Sequence, residues 1–225
     1  MKTKQCQVLV IGAGPGGYVS AIRSAQLGMK TIIVEGERAG GTCLIRGCIP
    51  SKALIHAAHT FHNLAKHAKK DGHMGISIPS PAELNMANLV GWKEGIVDRL
   101  NKGVEALLKN AGAELITGWA TFEDAKTVKI GEGKDATLIQ AEHVIMAQGS
   151  VPIELPFMPY NDHVISSRNA LLLEELPEHV VIVGGGYIGL ELGITFRMLG
   201  SNVTIVEAMD SVLPLFDKEL RRPLE

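Results

Sequence analysis

Residues 8–35, VLVIGAGPGGYVSAIRSAQLGMKTIIVE, and residues 180–207, VVIVGGGYIGLELGITFRMLGSNVTIVE, align without a gap at an offset of 172 and agree at 10 of 28 positions. Each copy reads as a short β-branched strand, a glycine turn, an amphipathic helix stopping at Gly28 or Gly200, and a second strand. A βαβ unit is thus written twice. Parallel neighbours need a crossover between them, and here the crossover is a helix, so the chain reads as α/β.

Each copy carries G-x-G-x-x-G, as Gly12, Gly14 and Gly17 and again as Gly184, Gly186 and Gly189. In a dinucleotide site the first glycine makes the tight turn, the second lets a pyrophosphate approach the backbone, and the third lets helix and strand pack closely. The helix N-terminus then offers free N–H groups and the positive end of its dipole. Each copy ends in an acid, Glu35 or Glu207, 23 residues after its first glycine, where a carboxylate can hold ribose hydroxyls. Glycine turns between strand and helix also occur for packing alone; strand, helix and acid together favour two dinucleotide sites. The V-T-I-V-E ending at Glu207 offers no arginine for a 2′-phosphate, which favours NAD over NADP.

Composition excludes other classes. With 46% hydrophobic and 20% charged residues and a net charge of −2, nothing marks a nucleic-acid or anionic-membrane binder. Lys2 and Lys4 precede an apolar run too short for a signal peptide, with no A-x-A-like site behind it. The stretch Val180–Phe196 holds five glycines and Glu191, which argues against a membrane span. Three cysteines without a secretion signal point to a reducing, cytoplasmic compartment.

Between the repeats, residues 51–70 and 93–110 read as helices joined by the Gly/Pro/Ser-rich GHMGISIPSP. Residues 114–140 read as an antiparallel meander with turns at EDAK and GEGKD, and AEHVIMAQGS as a strand ending at Gly149 and Ser150. Pro152, Pro156 and Pro159 mark a linker, dividing the chain into domains 1–150 and 151–225.

A third glycine cluster, GGTCLIRGCIPSK at 40–52, holds Cys43 and Cys48. Positions i and i+5 do not face each other on a regular helix, so a disulfide here needs a distorted first turn, which Gly47 and Pro50 can supply. A nearby helix N-terminus, with Arg46 and Lys52, favours a thiolate. The spacing alone leaves open a redox pair, two buried or incidental thiols, or a zinc site in need of further ligands. Cys6, just ahead of a buried strand, reads as a small core or surface residue.

G-G-T-C-L-x-x-G-C-I-P-S-K, shortly after an N-terminal glycine motif, resembles the pyridine nucleotide–disulfide oxidoreductases. The C-I-P-S-K ending is most similar to the dihydrolipoamide dehydrogenases; glutathione-type reductases usually have valine before the proline. The resemblance covers the whole chain, including the A-x-G-S-x-P segment at Ala147–Pro152. It implies a Rossmann-like FAD-binding domain with a β-meander over 1–150 and the start of a Rossmann-like NAD-binding domain over 151–225. It places Gly12, Gly14, Gly17, Glu35, Gly41, Thr42, Lys52, Ala147, Gly149 and Ser150 beside FAD. Gly184, Gly186, Tyr187, Ile188, Gly189 and Glu207 fall beside NAD. Cys43 is then the interchange thiol and Cys48 the sulfur that lies against the flavin as a charge-transfer thiolate. Lys52 sits near the flavin N5 edge, paired with Glu191, and Tyr187 covers the nicotinamide pocket. The plainer readings are a solvated Lys52, a stray polar Glu191 and a core-packing Tyr187; an acid in so apolar a helix, however, needs a partner.

The implied reaction runs from dihydrolipoamide through the Cys43–Cys48 disulfide and FAD to NAD. The implied partners are the lipoyl domain of a 2-oxo acid dehydrogenase or glycine cleavage complex and, for the whole enzyme, a second copy of the chain. Ile45 and Gln148 depart from the asparagine and threonine usual in the family. Its members also continue through a dimerisation domain with a His–Glu pair, so this chain is expected to be an N-terminal portion, open-edged and aggregation-prone after residue ~150. His56, His59, His62 and His67 could form a base or metal site, but read as a solvated helix face; no metal is expected. Two rival readings stand beside this one: a mercuric or glutathione-like reductase, and a nucleotide-binding fragment without catalysis.

Overall fold

Val8–Ile11 is apolar at every position, the pattern of a strand covered on both faces. In the computed structural model, which describes residues 2–68 and 72–224, this run lies inside a six-stranded sheet. The chain divides into two compact units, Met1–Ile49 with Gly95–Val151 and Pro50–Glu94 with Pro152–Glu225.

Strand β1 spans Lys2–Ile11, helix α1 Pro15–Gln26, β2 Thr31–Glu35 and α2 Gly41–Arg46. Helix α3 runs Cys48–His67 and α4 Met86–Ala111. The later strands are β3 (Glu114–Thr117), β4 (Ala120–Phe122), β5 (Thr127–Ile130) and β6 (Thr137–Met146). In the first unit the sheet order is β3-β2-β1-β6-β5-β4. Its first four strands are mutually parallel, and β6, β5 and β4 are antiparallel neighbours.

Three sequence expectations change. Residues 114–117 form the parallel edge beside β2 rather than the first strand of the meander. Residues 137–146 form one strand that pairs with both β5 and β1. No turn residue interrupts them, and buried Ile139 and Ala141 alternate with exposed Gln140 and Glu142 straight through the expected boundary. Helix α4 also starts well before residue 93, because the Asn85 side chain accepts the Asn88 N–H at 2.9 Å as an N-cap. Positions 69 and 70 of the helix expected over 51–70 lie outside the described residues.

Successive strand residues point to opposite faces, so the sheet has two cores. Leu9, Ile11, Ile32 and Val34 pack with Val128, Ile130 and Ile139. Val8, Val10 and Ile33 instead meet Ala21 of α1 and Val104 and Leu108 of α4. Full burial of such an aliphatic side chain contributes about 1.5–3 kcal/mol. Cys6 lies within β1, buried in the first of these cores and not disulfide-bonded.

The second unit contains α5 (Ser167–Ala170), β7 (His179–Val183), α6 (Tyr187–Leu199), β8 (Asn202–Val206) and α7 (Lys218–Arg221). Strands β7 and β8 pair in parallel around the α6 crossover, as the repeat requires. Leu192 and Phe196 pack with Leu54 of α3 and Leu171. Lys93 is fully buried; its Nζ donates to the Leu171 carbonyl at 2.9 Å and the Glu94 carboxylate at 2.5 Å. Among the described residues, no helix is long and apolar enough to cross a membrane.

Candidate active site

Strands β1 and β7 each run into a glycine in the left-handed region, Gly12 at φ 97° and Gly184 at φ 107°. A Cβ on Gly17 would lie 1.7 Å from the Gly12 carbonyl oxygen, and one on Gly189 would lie 2.2 Å from that of Gly184. Contact of helix on turn therefore demands the first and third glycines. The middle ones differ: a Cβ on Gly14 would come no closer than 3.6 Å, and one on Gly186 would meet nothing within 4 Å. The protein's own packing does not need them bare. Their bareness leaves open backbone at the N-termini of α1 and α6, where unpaired N–H groups and the helix dipole suit a phosphate. The two turns fit the pyrophosphate of a dinucleotide.

The acid closing each repeat turns back on its own glycine turn. Glu35 accepts the N–H of Ala13 at 2.7 Å and of Glu37 at 3.0 Å. Glu207 accepts those of Gly185 at 2.6 Å and Met209 at 2.9 Å, the same positions shifted by 172. The donors from Met209 and Gly185 hold the Glu207 carboxyl below its ordinary 4.5.

The loop ahead of the cysteines is pinned to the first turn. Gly40 N–H donates to the Ala13 carbonyl at 2.7 Å, and the Asn101 side chain of α4 donates to the Ala39 carbonyl at 2.6 Å. Gly41, at φ 69°, lies so close that a Cβ on it would be 2.4 Å from the Gly14 Cα. Helix α2 ends at Gly47 and α3 opens at Cys48, so the chain breaks between the two sulfurs. A Cβ on Gly47 would sit 2.9 Å from the Thr42 carbonyl oxygen. Cys43 and Cys48 are joined as a disulfide with their Cα atoms 4.6 Å apart; Cys43 is half-buried and Cys48 exposed. Arg46 pairs with Glu37 at 2.9 Å, a contact that no periodicity in the sequence announces.

The Ala147 N–H donates to the Ile11 carbonyl at 2.8 Å, carrying the β6 register into the first turn; Gly149 at φ 76° and exposed Ser150 follow. Thr42 is exposed near the start of α2. In the second unit Lys52 Nζ lies 2.7 Å from one Glu191 carboxylate oxygen and 2.8 Å from the other. The acid of the apolar helix has its partner, though the side chains stay 57% and 36% exposed. Tyr187 and Ile188 open α6 at 60% and 47% exposure, so core packing does not describe Tyr187. His67 Nδ1 lies 3.1 Å from the Ile76 carbonyl oxygen, and its ring centroid 5.6 Å from that of His73. No three His, Cys, Asp or Glu among the described residues gather to hold a metal.

Two βαβ units of one design and a disulfide spanning a helix break are the fold and site features by which this chain can be classed. The family model of the pyridine nucleotide-disulphide oxidoreductases matches residues 6–225, and the chain belongs to that family. It is 49% identical over 218 residues to dihydrolipoyl dehydrogenase of Pseudomonas aeruginosa, covering 96% of this chain and 47% of the relative. Dihydrolipoyl dehydrogenase 2 of Haloarcula marismortui is 47% identical over 222 residues, covering 97% of this chain and 46% of the relative. The HOCl-induced flavoprotein disulfide reductase RclA of Escherichia coli superimposes with a TM-score of 0.79 at 28% identity, over 96% of this chain and 45% of that one. The chain thus spans about half the length of the relatives it matches.

Proposed function

We propose that this chain serves the FAD-dependent oxidation of protein-bound dihydrolipoamide to lipoamide, with electrons passed to NAD. The observation that carries the reading is the Cys43–Cys48 disulfide, bridging the break at Gly47 in a loop hydrogen-bonded to the first nucleotide turn. In this reading residues 1–150 hold FAD, through Gly12, Gly14, Gly17, Glu35, Gly41, Thr42, Lys52, Ala147, Gly149 and Ser150. Residues 151–225 begin the NAD domain, with Gly184, Gly186, Tyr187, Ile188, Gly189 and Glu207 at the nucleotide. The segment after Glu207, A-M-D-S, carries no cation for a 2′-phosphate and does carry Asp210, which supports NAD.

A substrate thiolate attacks the Cys43 sulfur, the Cys43–Cys48 bond breaks, and Cys48 leaves as thiolate. The second substrate thiol then attacks the mixed disulfide at the substrate's sulfur, releasing cyclic disulfide and the Cys43 thiol. Cys48 opens α3, where the helix dipole favours its anionic form. Lys52 stands one turn further along the same helix, and Glu191 orients its ammonium. Bound FAD supplies a two-electron relay between the thiol pair and the nicotinamide. The assignment of Cys43 to exchange and Cys48 to the flavin follows the family resemblance, not exposure. The partners proposed are a lipoyl domain of a 2-oxo acid dehydrogenase or glycine cleavage complex and a second copy of the chain, in the cytoplasm.

The test is NAD reduction by the native gene product with FAD bound. Turnover with dihydrolipoamide well above that with glutathione or mercuric substrates is expected. A flavin-loaded protein that ignores dihydrolipoamide refutes the reading.

A further inference from the structure

His67 ends α3, and its ring meets that of His73 with 5.6 Å between centroids and 53° between planes. Backbone holds both in place. His73 and Ile76 each donate an N–H to the other's carbonyl at 2.9 Å, closing a two-residue turn with Met74 at φ 54° and Gly75 at φ 76°. Two successive left-handed residues give the tight type I′ hairpin, which fixes where His73 starts. The hairpin is tied to the helix by the Ile78 N–H, which donates to the His67 carbonyl at 3.0 Å. The Ile76 carbonyl takes a second donor, His67 Nδ1, at 3.1 Å. A carbonyl only accepts, so Nδ1 carries the proton and the lone pair of the neutral ring falls on Nε2. Among the described residues no hydrogen bond takes up that nitrogen. His67 is half-buried and His73 exposed, so an ion in solvent can reach the pair.

We propose that His67 and His73 form a two-histidine site for a borderline divalent cation of the Zn²⁺ class, with water filling its other positions. Neutral imidazole is the commonest protein ligand for such ions. A histidine whose other ring nitrogen donates to a backbone carbonyl has the fixed tautomer and orientation of a metal ligand, and His67 has that arrangement. The spacing fits as well. With Zn–N bonds of about 2.0–2.1 Å, two imidazoles on one tetrahedral ion hold their ring centres roughly 5 Å apart. A small rotation of the exposed His73 side chain closes the difference from 5.6 Å. No third His, Cys, Asp or Glu joins the pair among the described residues, so the site is open and of moderate affinity. A bound ion would staple the end of α3 to the hairpin. The sequence expectation of no metal weighed only the helical stripe of His56, His59, His62 and His67, whereas the second ligand comes from the turn beyond it. The proposal is independent of the function proposed above.

The experiment uses the native gene product without an affinity tag, its disulfide kept oxidised so that no thiolate of the pair competes. Zn²⁺ is titrated calorimetrically into wild type, His67→Gln, His73→Gln and, as a control from the exposed face of the same helix, His59→Gln. Micromolar Zn²⁺ binding is expected in wild type and in His59→Gln, weakened roughly ten-fold or more in each of the other two. Excess Zn²⁺ should also raise the melting temperature of wild type and leave that of His73→Gln where it was. Equal affinity in wild type and His73→Gln overturns the proposal. A loss that His59→Gln shares overturns it too, since binding is then diffuse over the helix face, and so does a wild type that takes up no Zn²⁺. His73 is exposed, so His73→Gln decides the matter even if His67→Gln does not fold.

Discussion

The Glu207 carboxylate accepts the backbone N–H of Gly185 at 2.6 Å, as Glu35 accepts that of Ala13 at 2.7 Å. Each acid braces the glycine turn beside which its nucleotide is proposed to sit. A carboxylate has about four lone-pair positions, so two backbone donors leave capacity for ribose hydroxyls. Brace and ligand can be one group.

This arrangement has a pH signature. The folded carboxyl of Glu207 titrates below its ordinary 4.5, so its stabilisation is present above that value and is lost as pH falls through the lowered one. Glu207→Gln should unfold at lower urea than wild type near neutrality, and the gap should narrow as pH falls below 4.5 and close once it has passed through the lowered value. A gap independent of pH would show that the ionised form contributes nothing.

The middle and third glycines should separate folding from binding. Gly186→Ala adds a methyl into open space at an extended φ of −73°, so its urea midpoint should match wild type within about 0.5 kcal/mol while NAD affinity falls. Gly189→Ala drives a Cβ to 2.2 Å from the Gly184 carbonyl oxygen and should destabilise by more than about 2 kcal/mol. Equal destabilisation in both would mean that Gly186 is a packing glycine after all.

Three cysteines should react in two classes. Reduction of the native protein should expose two thiols to an aromatic disulfide reagent, Cys43 and Cys48. Cys6 is 6% exposed, with burial pushing its thiol up, and should react only after denaturation. In the flavin-loaded protein, two-electron reduction of the disulfide should raise a long-wavelength absorbance band; Cys43→Ser should show that band without reduction, its lone Cys48 thiolate facing oxidised flavin, and Cys48→Ser should lack it.

Glu191→Gln should cost little in stability and much in function. An ion pair this exposed is worth about 0–1 kcal/mol, so the melting temperature should barely move. Flavin reduction by dihydrolipoamide should slow, and its pH profile should shift, because Lys52 loses the group that orients it. A matched loss of stability with an unshifted profile would reduce the pair to scaffolding.

Much of the site was legible along the chain because it is encoded between near neighbours. Glycine spacing, the acid 23 residues on, and the cysteines flanking Gly47 each report a local backbone demand: a left-handed φ, a methyl-free contact or a helix break. The pairing of Lys52 with Glu191 lies 139 residues apart in sequence; it came from family resemblance and from the cost of an unpartnered acid in an apolar helix.

Tertiary structure alone decided that Glu114–Thr117 would join β2, that Thr137–Met146 would serve two partners as one strand, and that Lys93 would be buried against Leu171. It alone brought Arg46 to Glu37 and laid Trp119 on Gly36. Periodicity states which side of a strand or helix is apolar but not which distant surface will cover it. That choice depends on where the whole chain can bury apolar area while pairing every buried backbone group, a condition that no local window contains.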